Sequence, residues 1–300
     1  MAHEHHHHHI PSPEHVNRAF IAGIVLNLVF VLVEAGAGIH FDSLALLSDA
    51  GHNLSDVVSL VLSLLAFRLV RVRPTPRYTY GYKKSTVLVS LFNAVLLLVA
   101  VGVILAESIE KLRHPEPVAG SAIAWVAGIG ILINAVTAFL FFRDKEHDLN
   151  IKGAYLHLLA DALVSVGVLV SGIVIRYTGW YVIDPVIGIA VALVILVSTW
   201  NLLRDSLRLS LDGVPSGMDA ETVRREMTGI PGVSDVHHLH IWALSTTENA
   251  LTAHVVAATG TPLPDLKHRI KHRLEDLGIQ HATLEFENAE ECCHENCTGK

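Results

Sequence analysis

The sequence predicts an α-helical membrane protein: six transmembrane helices followed by a cytoplasmic domain of αββαβ order. Three observations carry that expectation. The 300 residues are 51% hydrophobic and only 17% charged, against about 25% charged in soluble domains. The long apolar stretches are confined to residues 17–210. Residues 211–300 return to the alternation of charge and hydrophobicity typical of soluble protein, which argues for a membrane unit and an aqueous unit. The formal net charge of −7 leaves no broad basic face to neutralise phosphates, so nucleic acid is not an expected partner.

A helix needs about 20 mostly apolar residues to cross the hydrocarbon core. Six stretches meet that length, at 18–39, 44–70, 85–111, 119–142, 153–177 and 183–204. The first lacks a following small-residue cleavage pattern and reads as a retained span rather than a signal peptide. Basic residues set the orientation. Arg68, Arg71, Arg73, Arg77, Lys83 and Lys84 follow span two, Arg143, Lys145 and Lys152 follow span four, and Arg204 and Arg208 end span six. The first, third and fifth connections carry none, Arg113 and Arg176 respectively. Both termini are therefore expected in the cytoplasm, with the protein multi-pass in a bacterial inner (plasma) membrane. The expected division is a His-rich segment 1–17, a transmembrane unit 18–210, a soluble unit 211–290 and a Cys/His-rich tail 291–300.

In the soluble unit, residues 219–228 read as a helix after the turn Pro215-Ser216-Gly217. Residues 233–245 and 250–258 alternate as strands around the turn Thr246-Thr247-Glu248-Asn249. Leu266, Ile270, Leu274 and Leu277 recur at helical spacing over 264–277, and 281–287 return as a strand.

Ionisable groups at bilayer depth are costly and mark pathways or sites. Span two holds Asp49, His52, Asn53 and Asp56; span five holds His157 and Asp161. The spacing His-x-x-x-Asp occurs in both, and residues four apart lie one above the other on a helix face. Two such helices facing each other offer two imidazole nitrogens and two carboxylate oxygens, a set that suits tetrahedral Zn²⁺. The simpler reading, hydrogen bonds that brace the bundle, does not explain why the pair is duplicated. Glu34, Asn27, Asn134 and Asp49 read equally as partners that orient ligands, as proton relays or as packing groups. Asp184 before Pro185 reads as a helix cap or a metal-entry group.

Seven of the 20 histidines fall within residues 3–15. The run His5 to His9 reads either as a cloning tag or as part of a metal-gathering segment with His3 and His15. The only cysteines, Cys292, Cys293 and Cys297, lie near His294 in the tail. In a cytosolic setting they are expected as reduced thiols or soft zinc ligands.

The run Ser43-Leu44-Ala45-Leu46-Leu47-Ser48-Asp49-Ala50-Gly51-His52 resembles the cation diffusion facilitator family, in particular its bacterial zinc/cadmium exporters. So do Arg77-Tyr78-Thr79-Tyr80-Gly81-Tyr82, the run from His147 to His157, Asp184-Pro185, and Val236-His237-His238-Leu239-His240-Ile241-Trp242. The resemblance implies a homodimer with a ferredoxin-like cytoplasmic domain, exchanging metal for protons by alternating access. It places the transport site on His52, Asp56, His157 and Asp161, a set that looks like that of zinc transporters where all-carboxylate sets tend toward manganese. It further implies cytoplasmic Zn²⁺ ligands at His237, His254 and His268, with Glu285 and Glu287 at last-strand positions where some members use His and Asp. His238, His240, His272 and His281 are expected to be structural or solvated. The chain lacks a His-rich loop between spans four and five. The expected function is proton-coupled export of Zn²⁺, or of Cd²⁺ and similar ions. A membrane-anchored metal sensor is a second reading. An intramembrane metalloenzyme is a third, but its usual His-Glu-x-x-His run is absent from the sequence.

Overall fold

The computed structural model describes residues 13–40, 44–113, 121–142, 144–180 and 182–288. Six long helices come first: α1 (Pro13–His40), α2 (Leu44–Leu69), α3 (Ser85–Arg113), α4 (Ser121–Phe141), α5 (Leu149–Thr178) and α6 (Ile183–Ser210). Then follow α7 (Ala220–Thr228), β1 (Val233–Ala243), β2 (Asn249–Ala257), α8 (Leu263–Asp276) and β3 (His281–Asn288). Each of the eleven elements lies where the sequence predicts one. The expected starts and ends shift by a few residues, most at α1, α5 and α6.

The six long helices pack as a bundle, with α3 along α6, α1 against α2 and α4, and α5 against α4 and α6. Their outward faces are apolar: Val25, Val29, Leu32, Val95, Val99, Leu193 and Val197 are all exposed, the inverse of a soluble bundle and the pattern expected against lipid. Among the described residues, Asn17–Ala37, Ser85–Arg113 and Pro185–Ser210 are long and apolar enough to cross a membrane, and Gly128–Phe141 is a shorter apolar helix. Phe20, Leu60, Phe141, Ile151 and Leu158 join α1, α2, α4 and α5 in one buried cluster. Hydrophobic collapse supplies no drive between helices in lipid, so close approach through small residues matters. A methyl group built on Gly188 of α6 would lie 2.5 Å from Ser108 Oγ of α3.

The soluble unit has its own core. Val223 and Met227 of α7 and Leu266, Ile270 and Leu274 of α8 are buried with Val236, Ile241, Leu251 and Val255 of the sheet. The sheet order is β1-β2-β3. β1 and β2 are antiparallel, while β2 and β3 are parallel, joined by the crossover helix α8. Four residues of β1, His237 to His240, lie against three of β2, His254 to Thr252. That bulge is carried by His238 in the left-handed region at φ 50°.

The two units meet at the turn between β1 and β2. Ser245 Oγ accepts from the amides of Thr247 (3.1 Å) and Glu248 (3.0 Å), which folds the turn locally. The turn then docks on the starts of α3 and α5. Thr246 N donates to Thr86 Oγ1 at 3.1 Å, the Thr246 hydroxyl to Asp148, and Lys83 to Glu248. Lys84 donates to the carbonyls of Leu209 (2.8 Å) and Ala243 (3.1 Å) and pairs with Asp212.

Candidate metal sites

Both α2 and α5 are helical because long apolar side chains dominate them, and both bring polar groups to their buried sides. On α5 the start is set by Asp148, whose Oδ1 accepts from the amides of Asn150 (2.7 Å) and Ile151 (3.2 Å). This is an N-cap for orphan helix donors. Two and a half turns on, His157 presents Nε2 across the bundle to Asp56 of α2, with which it is hydrogen-bonded. One turn further, Asp161 Oδ2 lies 4.0 Å from the same nitrogen. One ligand atom each from Asp56, His157 and Asp161 lie within 4.8 Å of one another. Asp56 is buried and the other two are half-buried. A cation between them would exchange the direct contacts for coordination, and two carboxylates would cancel its charge. The side chain of His52, the fourth group expected from the sequence, lies outside the described residues.

Other polar groups in the bundle sort by their contacts. Asn53 Nδ2 donates to Glu34 Oε2 at 2.8 Å, tying α2 to α1 within three residues of Asp56. Asn27 donates to the carbonyl of Gly23 on its own helix at 2.9 Å, a packing bond. The sequence reading passed over Asn93 of α3, which donates to Ser63 of α2 at 2.9 Å and lines a small cavity together with His157. A polar residue in an apolar span was the available signal. The sequence also gave no hint that Asp148, Thr86 and Thr246 form one junction.

In the soluble unit the sheet register builds a second cluster. His237 and His254 are direct partners across β1 and β2, and His254 faces Glu285 across β2 and β3. Glu287, two residues on and so on the same sheet face, reaches both histidines. Its oxygens lie 2.6 Å from His254 Nδ1 and 3.2 Å from His237 Nε2. Ligand atoms of His237, His254 and Glu287 fall within 4.8 Å of one another. Glu285 is more exposed and stands 3.5 Å from His254 Nε2. The His238 ring packs against that of His254, with centroids 4.9 Å apart. The fold does not bring His268 to this cluster. It lies exposed on α8, lining a shallow groove with Arg269, His272, Arg273 and Asp276. Cys292, Cys293, His294 and Cys297, like the histidines of residues 3–9, lie outside the described residues.

Comparison with known proteins agrees with this architecture. The family model of the cation efflux transmembrane domain matches residues 20–209. That of the cation efflux protein cytoplasmic domain, designated as a dimer unit, matches residues 215–288. The zinc transporter ZitB of Escherichia coli is 38% identical over 290 residues, covering 95% of this chain and 92% of its own. The metal cation efflux system protein CzcD of Cupriavidus metallidurans is 36% identical over 277 residues, 91% and 87% of the two chains. A cadmium, cobalt and zinc/H⁺-K⁺ antiporter of Bacillus subtilis is 34% identical over 275 residues, 90% and 88%. The chain belongs to the cation efflux family, the cation diffusion facilitators, whose members are multi-pass membrane transporters and not enzymes.

Proposed function

We propose that the protein exports Zn²⁺, and with it Cd²⁺ or similar divalent ions, from the cytoplasm in exchange for protons, by alternating access in a homodimer. The observation that carries this reading is the cluster of Asp56, His157 and Asp161 inside a bundle whose outward faces are apolar. Such a group of ionisable residues at membrane depth is costly unless it has work to do. With His52 from the same face of α2 it makes a two-nitrogen, two-oxygen site closed by four protein ligands. A closed site suits carriage of a metal rather than activation of a water molecule. The relatives named for zinc, cadmium and cobalt support the metal class, and one named as an antiporter supports exchange.

Exchange follows from the ligand chemistry. A metal binds the neutral imidazole and the ionised carboxylate, so loading releases protons and protonation releases the metal. Loading at cytoplasmic pH and release where the outer side is more acidic lets the proton gradient drive export. All six long helices then span the inner membrane with both termini cytoplasmic, as the basic connections require. The unit 18–210 is the transport domain, and 211–290 is a ferredoxin-like dimerisation domain. Its cluster of His237, His254 and Glu287, with Glu285 adjacent, holds Zn²⁺ as a resident ion. The tail residues Cys292, Cys293, His294 and Cys297 are further ligands in this reading, whereas His268, exposed on α8 away from the cluster, is not, and residues 1–17 gather metal. The same cytoplasmic cluster is what favours metal sensing as a secondary role.

The test is Zn²⁺ flux in proteoliposomes under an imposed pH gradient, native chain against His157→Ala. Gradient-driven flux that the variant loses supports the site and the coupling. Equal flux in both makes the intramembrane residues structural, and no flux in either moves sensing to the front.

A further inference from the structure

We propose that Asn93 is a positioning residue for the transport site: one buried water accepts the Nδ1–H of His157 and donates to Asn93 Oδ1, which keeps Nε2 free for the metal. The inference rests on the reading of Asp56, His157 and Asp161 as that site. His157 makes both of its contacts with carboxylates, Asp56 and Asp161, through Nε2, so the metal-facing nitrogen is defined. The tautomer that offers Nε2 carries its proton on Nδ1. Histidines that ligate metals almost always donate this second N–H to a carboxylate, a carbonyl or water, which fixes the ring and raises its basicity.

The acceptor is on α3. Asn93 is 5% exposed, and its Nδ2 is committed to Ser63 Oγ at 2.9 Å. That bond fixes which end of the amide is oxygen, and Asn93 Oδ1 is fully buried without a hydrogen-bond partner among the described residues. A buried acceptor left unpaired is destabilising, so a partner for this oxygen is expected. Asn93 and His157 line one cavity, closed otherwise by Ser59, Leu60, Ser63, Leu96, Leu97, Gly153 and Ala154, with a volume of about 10 Å³. This is about the space one water needs. Three walls come from three helices, α2, α3 and α5, so the water would be shared by the elements that carry the ligands. Its neighbours supply two hydroxyls and an amide oxygen, enough partners for an ordered water. By residue order the cavity lies on the side of His157 nearer the start of α5 and the end of α2, away from Asp161.

The experiment uses the full chain in lipid nanodiscs with ¹⁵N-labelled histidine and ¹¹³Cd²⁺ as the probe metal. In the native protein the ¹¹³Cd–¹⁵N coupling of His157 should fall on Nε2, with Nδ1 protonated. Coupling on Nδ1 overturns the proposal without any variant. Asn93→Leu, similar in size but without an acceptor, should weaken Cd²⁺ binding on the order of 10–100-fold, the usual loss for such partners, and shift the His157 Nδ1 resonance. Asn93→Ser, which keeps an acceptor and the water, should stay nearer to native than the leucine variant in both readouts. A bracing role alone would lower thermal stability in the leucine variant and leave the resonance and affinity at native values, which overturns the proposal. His157→Ala separates the two levels. If it binds Cd²⁺ as the native chain does, the site reading itself fails. If it loses the metal while Asn93→Leu does not, only the role of Asn93 fails.

Discussion

Replacing Asp148 with Ala should undock the soluble unit from the start of α5, and the size of the effect follows from two separate bonds. One carboxylate oxygen caps α5 through the amides of Asn150 and Ile151, and losing such a cap costs about 1 kcal/mol. The other accepts from the hydroxyl of Thr246, and a hydrogen bond to a charged group is worth about 1.5–3 kcal/mol. Asp148 is 4% exposed, so little of this is recovered from water. A loss of about 3 kcal/mol corresponds to more than a hundredfold rise in the opening equilibrium, at about 1.4 kcal/mol per tenfold. The reporter is built in, because the Thr246 amide donates across the junction to Thr86 Oγ1 and exchanges with solvent only when the turn lifts away. Hydrogen exchange followed by mass spectrometry should show residues 244–248 exchanging on the order of 100-fold faster in Asp148→Ala. A double-mutant cycle with Thr246→Val should return most of the bond as coupling. Native exchange at the turn, with fraying confined to the first turn of α5, would refute the assignment of Asp148 to the junction.

Burial also holds the Asp148 carboxyl above its ordinary value of 3.8, against the opposing pull of Thr246, Ile151 and Asn150. The folded protein then binds a proton more readily than the unfolded chain, so this group's contribution to stability is lost as pH rises from 3.8 through the raised value. The melting temperature should therefore fall less steeply with rising pH across that window in Asp148→Asn than in the native chain. Gly188→Ala should destabilise the packing of α3 on α6 by about 1–3 kcal/mol through overpacking, since the new methyl meets Ser108 Oγ at 2.5 Å and Ser108 Cβ only at 3.6 Å. Adding Ser108→Ala should therefore restore the melting temperature. Ile270→Ala, in the core beneath the sheet, should cost about 2–5 kcal/mol, read as a lower melting temperature of the soluble unit. If the soluble unit holds Zn²⁺ as proposed, His254→Ala should lower the Zn²⁺ count measured by calorimetry, because His254 touches both Glu287 and Glu285; an unchanged count would refute this cluster as the site.

The parts of this chain legible in its sequence are those specified by local repetition. Apolar runs of helical length placed α1 to α6, and the spacing of Leu266, Ile270 and Leu274 placed α8 with its buried face correct. His157 and Asp161 were readable as a pair because four residues is one helical turn, and Asp56 because it repeated that pattern. What local repetition does not encode is what several elements do where they meet. Hydropathy started span five at residue 153, yet α5 begins at Leu149 because Asp148 caps it, a polar signal that an apolar count passes over. Span six was expected to stop at residue 204, but the helix runs on to Ser210, since Leu209 packs with Val87 and Ala243 at the junction. His268 resembled a ligand by position, yet its place on the exposed side of α8 depends on which face Leu266 and Ile270 bury. Asn93 is the sharpest case. One asparagine in an apolar helix reads as a packing group, and only the meeting of α2, α3 and α5 leaves its oxygen buried and puts Asn93 at a cavity that His157 also lines. Pairs on one helix are written in the spacing of residues; a partner that orients them from a third helix is written only in the packing.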